Sequence, residues 1–261
     1  METWTLITGA SSGLGTEFAR QSAALGQNLI LTARRIDRLE ELKTELNALY
    51  PIRIEVIPAN LANQNEVQRL ISELKQKEMF VETLINNAGF GAFGEFDLIS
   101  EERMAEMIQV NITSLSMLTH TLSAPMKLHK RGNILNVASI AGYVAGPYMA
   151  EYYASKAYVL SLTEALHEEL IQDNIHVTAL CPGPTKTEFF VAAGTKSSIF
   201  QNFMMMDAQG VCRIGLSSLA KNKAIAVAGL SNQVFVGILR LLPRTLATKI
   251  VGRSQQTKKP V

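Results

Sequence analysis

The stretch Thr8-Gly9-Ala10-Ser11-Ser12-Gly13-Leu14-Gly15 decides the fold of this chain. It follows an apolar run of strand length, residues 3–8, and leads directly into a segment of helical period. Glycines at such a turn let the backbone approach a phosphate, and the positive end of the following helix faces the anion. A tight turn without a ligand can have the same glycines, but the position after the first strand of a parallel sheet favours a nucleotide site.

Outward from this turn, apolar runs of strand length alternate with segments of helical period. The runs cover residues 3–8, 28–32, 52–57, 83–86, 133–138, 176–181 and 224–228. Their nearly continuous Ile, Leu and Val content is typical of parallel strands covered on both faces, and the alternation implies right-handed crossovers. The sequence therefore predicts an α/β, single-domain, doubly wound (Rossmann-type) fold with a mainly parallel seven-stranded sheet and helices on both faces.

The helix after the second run has an apolar stripe that stops at residues 50–51, which are Tyr-Pro. Its members recur at helical spacing, so we expect one amphipathic helix. The stripe consists of Ile36, Leu39, Leu42, Leu46 and Leu49.

Length and composition exclude several classes of protein. A chain of 261 residues can bury a core without disulfides or a metal, and its two cysteines, Cys181 and Cys212, argue against a disulfide framework. No apolar stretch approaches the ~20 residues of a membrane span. The first strand begins almost at Met1, which leaves no room for an export signal. We therefore expect a cytoplasmic protein.

No linker or repeat interrupts the series, so we predict one domain over residues 1–230, with an irregular stretch at about 184–210 of the kind that usually forms a lid or binding loop. Residues 231–261 form a basic extension. Within residues 208–261 there is no acidic residue, but there are nine basic ones: Arg213, Lys221, Lys223, Arg240, Arg244, Lys249, Arg253, Lys258 and Lys259.

The extension carries an amphipathic pattern that Pro243 interrupts. A basic amphipathic helix packs on its own domain or a neighbouring subunit, or it binds an anionic membrane surface or an acidic carrier protein. All of these alternatives stay open from the sequence. The apolar stripe consists of Phe235, Ile238, Leu239 and Leu242 before the proline, and of Leu246 and Ile250 after it.

Several motifs together resemble those of the short-chain dehydrogenase/reductase family over residues 6–187. The first is the spacing G-x-x-x-G-x-G. The others are Asn86-Asn87-Ala88-Gly89 at the end of the fourth strand, the tetrad Asn111, Ser139, Tyr152 and Lys156, and Pro182-Gly183 followed by Thr187. The resemblance implies a nicotinamide cofactor, a carbonyl or alcohol substrate, and a homodimer or homotetramer.

The resemblance also implies which residues bind the cofactor. Besides a pair of arginines discussed next, these are Gly9, Ser11, Ser12, Gly13, Leu14, Gly15, Asn60, Leu61, Asn87, Ala88, Gly89, Tyr152, Lys156, Pro182, Gly183, Thr185 and Thr187. Asn60 stands where the family usually has an aspartate that contacts the adenine. The asparagine keeps a carbonyl acceptor, so we expect this contact to be weakened.

Arg34 and Arg35 follow the second strand, where an acidic residue would bind the ribose hydroxyls of NAD(H). A guanidinium there pairs with a 2′-phosphate instead. We therefore expect NADP(H). The alternative is that both arginines are solvated charges at the start of the next helix, with Arg35 as the bystander.

Tyr152 and Lys156 lie four residues apart on one face of a helix that is predicted to run to about Gln172. A neighbouring ammonium favours phenolate, so Lys156 is expected to lower the pKa of Tyr152. The resemblance implies that Lys156 also bonds the nicotinamide ribose, that Ser139 polarises the substrate oxygen, and that Asn111 holds a water. We predict hydride transfer at a carbonyl carbon with Tyr152 as general acid/base. Tyr153 is interpreted as a packing residue.

Aromatic and methionine side chains predict an apolar substrate pocket, for a medium or long acyl chain or another hydrophobic carbonyl compound. They would serve equally well as anchors for the loop. These residues are Phe90, Phe93, Phe96, Phe189, Phe190, Phe200, Phe203, Met204, Met205 and Met206.

Other chemistries have less support in the sequence. Its four histidines lack metal-ligand spacing, so no metal is expected, and the basic tail after Phe235 lacks the aromatic residues of a nucleic-acid site. A buried structural role is expected for Cys181. Two alternative functions remain: an epimerase or dehydratase on the same scaffold, and a non-catalytic dinucleotide-binding or scaffold protein.

Overall fold

The computed structural model describes residues 1–189, 193–194 and 205–256. Seven strands form one sheet in the order β3-β2-β1-β4-β5-β6-β7, and every neighbouring pair is parallel. The strands are β1 (Thr3–Thr8), β2 (Asn28–Thr32), β3 (Ile54–Val56), β4 (Phe80–Asn86), β5 (Gly132–Val137), β6 (Ile175–Cys181) and β7 (Ile225–Val227).

Helices connect these strands. Over the described residues they are α1 (Gly13–Ala24), α2 (Ile36–Leu49), α3 (Gln64–Gln76), α4 (Glu101–Ile108), α5 (Leu115–His129), α6 (Ala150–Leu170), α7 (Ala208–Ala220), α8 (Leu230–Leu241) and α9 (Arg244–Gln256). Buried residues of α1, α2 and α7 pack on one face of the sheet, and those of α3, α5 and the end of α6 pack on the other. The predicted doubly wound fold is confirmed.

Successive residues of the central strands belong to opposite cores. Leu6 packs with α3 and α5, whereas its neighbour Ile7 packs with α1 and α2, and Leu84 and Ile85 in β4 divide in the same way. Side chains alternate across a strand, so a strand covered on both faces buries successive residues and is mostly apolar. This is why the strands read as continuous apolar runs in the sequence.

Several predicted boundaries need correction. β3 is shorter than residues 52–57, and β4 begins before residue 83 because it pairs with β1 from Phe80 onward. Helix α6 ends at Leu170 and is followed by a single 3-10 turn, Ile171–Asp173, instead of running as one helix to Gln172.

The predicted stripe on α2 is correct in its centre and wrong at its ends. Leu39, Leu42 and Leu46 are buried, but Ile36 is 52% exposed and Leu49 is 64% exposed. At 3.6 residues per turn, the two end residues lie on the flanks of the stripe. They also occupy the first and last positions of the helix, where neither of them packs into the core.

The stripe predicted in the C-terminal extension is largely wrong. Pro243 separates two helices, and Ile238, Leu246 and Ile250 are exposed, whereas Leu239 is buried as expected. The packed face includes polar and small side chains that a hydrophobic pattern cannot reveal. Its buried members are Asn232, Val236, Leu239, Ala247, Val251 and Gln255.

Two leucines of α2 test this assignment of its buried face. Leu46→Ala should lower the free energy of unfolding by about 2–5 kcal/mol because it leaves a cavity in the core, whereas Leu49→Ala should change it by less than about 0.5 kcal/mol. Urea denaturation of both variants measures the difference. Equal losses of stability would contradict the structure.

Candidate active site

Hydrogen bonds join the glycine turn to the end of β4. The Thr8 hydroxyl oxygen accepts from the backbone N–H groups of Asn87, at 3.0 Å, and Ala88, at 2.9 Å. In return the Asn87 amide donates to the Thr8 carbonyl oxygen at 2.8 Å. The two loops that follow β1 and β4 therefore form one rigid unit at the carboxyl edge of the sheet.

Two glycines of the turn are required by the geometry. Gly9 has a φ of +66°, a conformation that other residues adopt at a cost. A Cβ on Gly15 would lie 2.1 Å from the Gly9 carbonyl oxygen. The turn therefore packs directly on the first turn of α1, which has no acidic side chain and no side-chain cap from Ser12. The unpaired N–H groups at the start of α1 can hold a phosphate.

The tetrad residues come from three separate elements. Tyr152 and Lys156 lie on α6, with the Lys156 ammonium 5.8 Å from the centre of the Tyr152 ring. Ser139 follows β5, and its hydroxyl lies near enough to the Tyr152 phenol to lower the pKa of that group. The Ser139 oxygen accepts from the Ala141 N–H at 3.1 Å. The ammonium donates to the Val137 carbonyl oxygen at 2.8 Å, and this bond holds it beneath the site.

Asn111 lies in a π-helical segment, Gln109–Ser114, between α4 and α5. Its amide donates to the Phe90 carbonyl oxygen at 2.9 Å and to the Ser155 hydroxyl at 3.0 Å, and its oxygen accepts from the Phe90 N–H at 3.1 Å. Such segments are rare and occur frequently at functional sites. The sequence carries no pattern that distinguishes this segment from an ordinary helix.

Burial sets the protonation of the two central groups. It raises the pKa of Tyr152 well above its usual range, against the smaller opposing effect of the Ser139 hydroxyl. It lowers the pKa of Lys156 from 10.5 to about 8. The expectation that Lys156 lowers the pKa of Tyr152 is not met, because desolvation dominates and the group that lowers this pKa is Ser139. The phenol is therefore protonated at neutral pH.

One cavity of about 850 Å³ connects the glycine turn to the tetrad. Of the expected site residues, Gly15 lies beneath the cavity against Gly9, and Asn111 is buried behind it. All the others line it: Gly9, Ser11, Ser12, Gly13, Leu14, Arg34, Arg35, Asn60, Leu61, Asn87, Ala88, Gly89, Ser139, Tyr152, Lys156, Pro182, Gly183, Thr185 and Thr187.

Comparison with known proteins agrees with this arrangement. The family model described as short chain dehydrogenase matches residues 3–197. This chain belongs to the short-chain dehydrogenase family.

Individual relatives extend over most of its length. Nodulation protein G of Rhizobium sp. (strain N33) is 33% identical over 242 residues, which cover 89% of this chain and 95% of the relative. The 7beta-hydroxysteroid dehydrogenase of Clostridium sardiniense is 32% identical over 184 residues, 70% of each chain. A solved short-chain dehydrogenase from Sphingobium yanoikuyae in complex with NADPH is 27% identical, has a TM-score of 0.81, and is matched over 94% of this chain and 97% of its own.

The two arginines after β2 play different parts in this short-chain dehydrogenase. Arg35 donates to the Ser11 hydroxyl and carbonyl oxygens, at 3.3 Å each, whereas Arg34 is exposed and is bonded to no described side chain. Arg35 is therefore part of the site wall and not the bystander. Arg38 and Arg35 both pair with Glu188, at 3.0 and 3.2 Å, and hold the pKa of that carboxyl below its usual range.

Sequence reasoning missed Glu188 and Arg38. Their pairing joins residues 150 positions apart and follows no local pattern. The Asn60 side-chain oxygen accepts from the Ala62 N–H at 3.2 Å, so its acceptor already has a partner within the loop.

The predicted aromatic pocket is only partly correct. Phe90 and Phe189 line the cavity, and the Phe189 ring lies 5.2 Å from that of Tyr152. Phe96 is 60% exposed and does not line it, and Phe93 packs near Tyr148. Of the methionines, Met205 and Met206 do not line it, and Met206 packs against Gly229 and Asn232. Phe190, Phe200, Phe203 and Met204 lie outside the described residues.

The C-terminal helices form another wall of the cavity. Phe235 of α8 and Ile250, Val251, Ser254 and Gln255 of α9 line it.

Tyr153 packs against the apolar cluster around Tyr152, as interpreted, and it also lines the cavity. The Gln255 amide donates to the Tyr153 hydroxyl oxygen at 2.8 Å. This bond joins α9 directly to the helix that carries Tyr152.

The remaining polar groups show no second chemistry in the described part of the chain. No three metal-ligating side chains cluster there, and no helix there is long and apolar enough to cross a membrane. His167 and His176 bond backbone carbonyl oxygens of Val177 and Leu219. Cys181 is buried, and burial raises its pKa to about 12, as expected of a structural thiol.

The burial of the Lys156 ammonium is testable through stability. Lys156→Met should raise the free energy of unfolding at neutral pH by about 1–2 kcal/mol, less than the full desolvation penalty because the bond to Val137 is lost. Between pH of about 8 and 10.5 the unfolded parent binds more protons, so its stability rises with pH and the gain from the substitution shrinks.

Urea denaturation across this pH range measures the gain. The exposed Lys75→Met serves as the control and should show no such trend. A gain from Lys156→Met that is independent of pH would contradict the assignment.

Proposed function

We propose that this short-chain dehydrogenase is an NADP(H)-dependent oxidoreductase that interconverts a carbonyl and a secondary alcohol, with Tyr152 as general acid/base. One observation carries the proposal. A buried, protonated phenol, with a serine hydroxyl beside it and an ammonium 5.8 Å from its ring centre, lines the same cavity as the glycine turn.

Each residue has a defined task in the reduction. When bound, the reduced nicotinamide supplies a hydride to the carbonyl carbon. Ser139 donates a hydrogen bond to the substrate oxygen, and Tyr152 transfers its proton to that oxygen as negative charge develops there. Lys156 stabilises the resulting phenolate and returns a proton to it from solvent. Asn111 positions this relay by holding the loop at Phe90 and the hydroxyl of Ser155.

The choice of NADP(H) rests on the arginines around the adenosine end of the cavity. Arg35 is fixed against Ser11, Arg34 is exposed at the cavity wall, and the first residues after β2 include no acidic side chain. A 2′-phosphate can take bidentate, charge-assisted bonds from such a pair. Glu188 would then give up its bond to Arg35. The NADPH complex of the Sphingobium relative supports this choice.

The substrate end of the cavity favours an apolar or acyl carbonyl compound. Phe90, Met149 and Phe189 surround Tyr152, and Ile250 and Val251 face the same space from α9. An apolar wall with few polar groups selects by shape and buried area. The dehydrogenase named for hydroxysteroids among the relatives is consistent with a bulky substrate.

Tyr152→Phe tests the chemical role of the phenol. We expect turnover of NADPH with apolar ketones to fall by at least about 100-fold, because the proton donor is lost, while NADPH binding is retained. Tyr158→Phe, an exposed position on the same helix, is the control. NADPH absorbance and fluorescence report the two quantities.

Three outcomes would contradict the proposed function. Unchanged turnover in Tyr152→Phe would remove Tyr152 from its role. NADPH binding without turnover of any ketone would favour a dinucleotide-binding scaffold, and conversion without net cofactor oxidation would favour an epimerase or dehydratase.

Arg35→Asp tests the cofactor preference. The ratio of kcat/KM for NADPH over NADH should fall by about tenfold or more, because a charge-assisted pair with the 2′-phosphate is replaced by repulsion. Arg34→Asp should shift the ratio in the same direction. Arg53→Asp, where the arginine pairs with Glu2 outside the cavity, is the control. A ratio that stays constant in both site variants would refute the NADP(H) assignment.

We further propose that the C-terminal extension belongs to the catalytic domain and that its outer face contacts an anionic membrane surface. Leu230, Val234, Ile238 and Leu241 are 51–88% exposed and share the outer face of α8, and residues 208–261 include no acidic side chain. Exposed apolar and basic residues in this combination suit an anionic interface. Both cysteines are buried and free, which supports a reducing, cytoplasmic location.

Sedimentation with vesicles containing phosphatidylserine tests this contact. The parent should sediment with them and not with phosphatidylcholine vesicles, and Val234→Glu combined with Leu241→Glu should stay in the supernatant. Equal recovery of parent and variant would exclude the membrane contact. A parent dimer or tetramer that dissociates in the variant would instead assign this face to a second copy of the chain.

A further inference from the structure

Tyr153 and Gln255 form a hydrogen-bonded polar pair where α9 meets the cavity, and the proposed reaction uses neither of them. Gln255 lies on α9 and is 2% exposed, and its amide donates to the Tyr153 hydroxyl oxygen at 2.8 Å. Both residues line the cavity.

Among the described residues, the oxygen of the Gln255 amide has no hydrogen-bond partner. This oxygen is buried and accepts no hydrogen bond from any residue that the structure describes. A buried carbonyl oxygen without a donor is destabilising, and such groups are few in folded proteins. A group that reaches this oxygen from the cavity would remove the cost.

Within the residues that the structure describes, the Tyr153 hydroxyl lacks an acceptor, whereas the Gln255 oxygen lacks a donor. This hydroxyl accepts the bond from Gln255, but over the described part of the chain its own proton has no acceptor. Burial raises its pKa to about 12, so the proton is retained. The pair therefore offers the cavity at least one donor, the Tyr153 O–H, besides the second N–H of the Gln255 amide, and one acceptor, the Gln255 oxygen.

This count does not depend on the orientation of the amide. If its nitrogen and oxygen are exchanged, Tyr153 donates to the amide oxygen. The phenol oxygen then remains as the acceptor, and the amide N–H₂ remains as the donor. In both arrangements the pair presents at least one hydrogen-bond donor and one acceptor.

A hydroxyl group is the small substituent that uses one donor and one acceptor together. A carbonyl or ether oxygen would satisfy the donor only, and an apolar group would leave both unpaired. We propose that Tyr153 and Gln255 form a subsite that binds a hydroxyl group of the substrate, separate from the carbonyl at Tyr152. This inference rests on the proposed function and narrows its substrate class to apolar carbonyl compounds that carry a hydroxyl group.

The position of the pair relative to Tyr152 indicates where the hydroxyl group lies on the substrate. The rings of Tyr152 and Tyr153 are neighbours, with centres 6.1 Å apart and planes at 79°. Val251 and Ile250 line the same wall of the cavity. The hydroxyl group should therefore lie on the part of the substrate that extends from the carbonyl toward α9.

A matched series of ketones tests the subsite. Benzylacetone is compared with its ortho-, meta- and para-hydroxylated analogues and with their methyl ethers, and NADPH oxidation gives kcat/KM for each. In the parent, at least one hydroxylated ketone should exceed both benzylacetone and its own methyl ether by about tenfold or more, because it forms hydrogen bonds that the others cannot form.

The side chains of the pair are then removed one at a time. Gln255→Leu and Tyr153→Phe should each reduce the ratio of hydroxylated to unsubstituted ketone to near one, whereas the exposed Gln68→Leu should keep the parent ratio. A parent with equal kcat/KM across the series overturns the proposal without any variant. Variants that fold, bind NADPH and keep the parent ratio also overturn it, and would leave the bond between α6 and α9 as purely structural.

The two proposals fail in different ways. If no ketone in the series is reduced, the proposed function is in question, and binding to the NADP⁺-loaded protein then tests the subsite by thermal shift. A hydroxylated ketone that raises the melting temperature more than its methyl ether does, in the parent but not in Gln255→Leu, supports the subsite. Equal shifts in the parent overturn it.

Discussion

The exchange of hydrogen bonds between Thr8 and Asn87 is the constraint on which the site depends. It fixes the loop after β1 against the loop after β4. A Cβ on Gly9 would lie 3.0 Å from Ala88 and Asn87, and a Cβ on Gly15 would lie 2.1 Å from the Gly9 carbonyl oxygen. Because β1 and β4 are neighbours at the centre of the sheet, this junction is supported by helices on both faces. A ligand held there has a fixed distance to everything on α6.

Electrostatics divides the site into two halves. At the adenosine end, guanidinium groups and the unpaired N–H groups of α1 favour negative charge. At the end near Tyr152, burial disfavours the charged form of both Tyr152 and Lys156. The phenol of Tyr152 therefore keeps its proton, and the Lys156 ammonium loses its proton more readily than an exposed lysine does. A protonated acid next to a lysine that titrates near neutrality is suited to repeated proton transfer.

How much the sequence predicts depends on how local the pattern is. Runs and spacings within a few residues predict the seven strands, the glycine turn and the pair Tyr152 and Lys156. The structure brings the glycine turn and this pair to one cavity. The contacts of Glu188 with Arg38 and of Gln255 with Tyr153 join distant segments, and nothing in either segment announces them. The stripes predicted on α2 and on α8 and α9 are partly wrong for a related reason, because periodicity cannot show where the surface beneath a helix ends.

The two helices that close the chain have a consequence for how selectivity can change. The residues expected to hold the cofactor and perform the chemistry lie before Glu188, whereas one wall of the substrate cavity comes from residues 235–255. The residues expected to perform the chemistry and those that form this wall of the cavity are therefore encoded by separate segments of the gene. Exchanging the final segment between relatives, or randomising it in a library, would diversify what the enzyme accepts while its redox machinery is inherited intact.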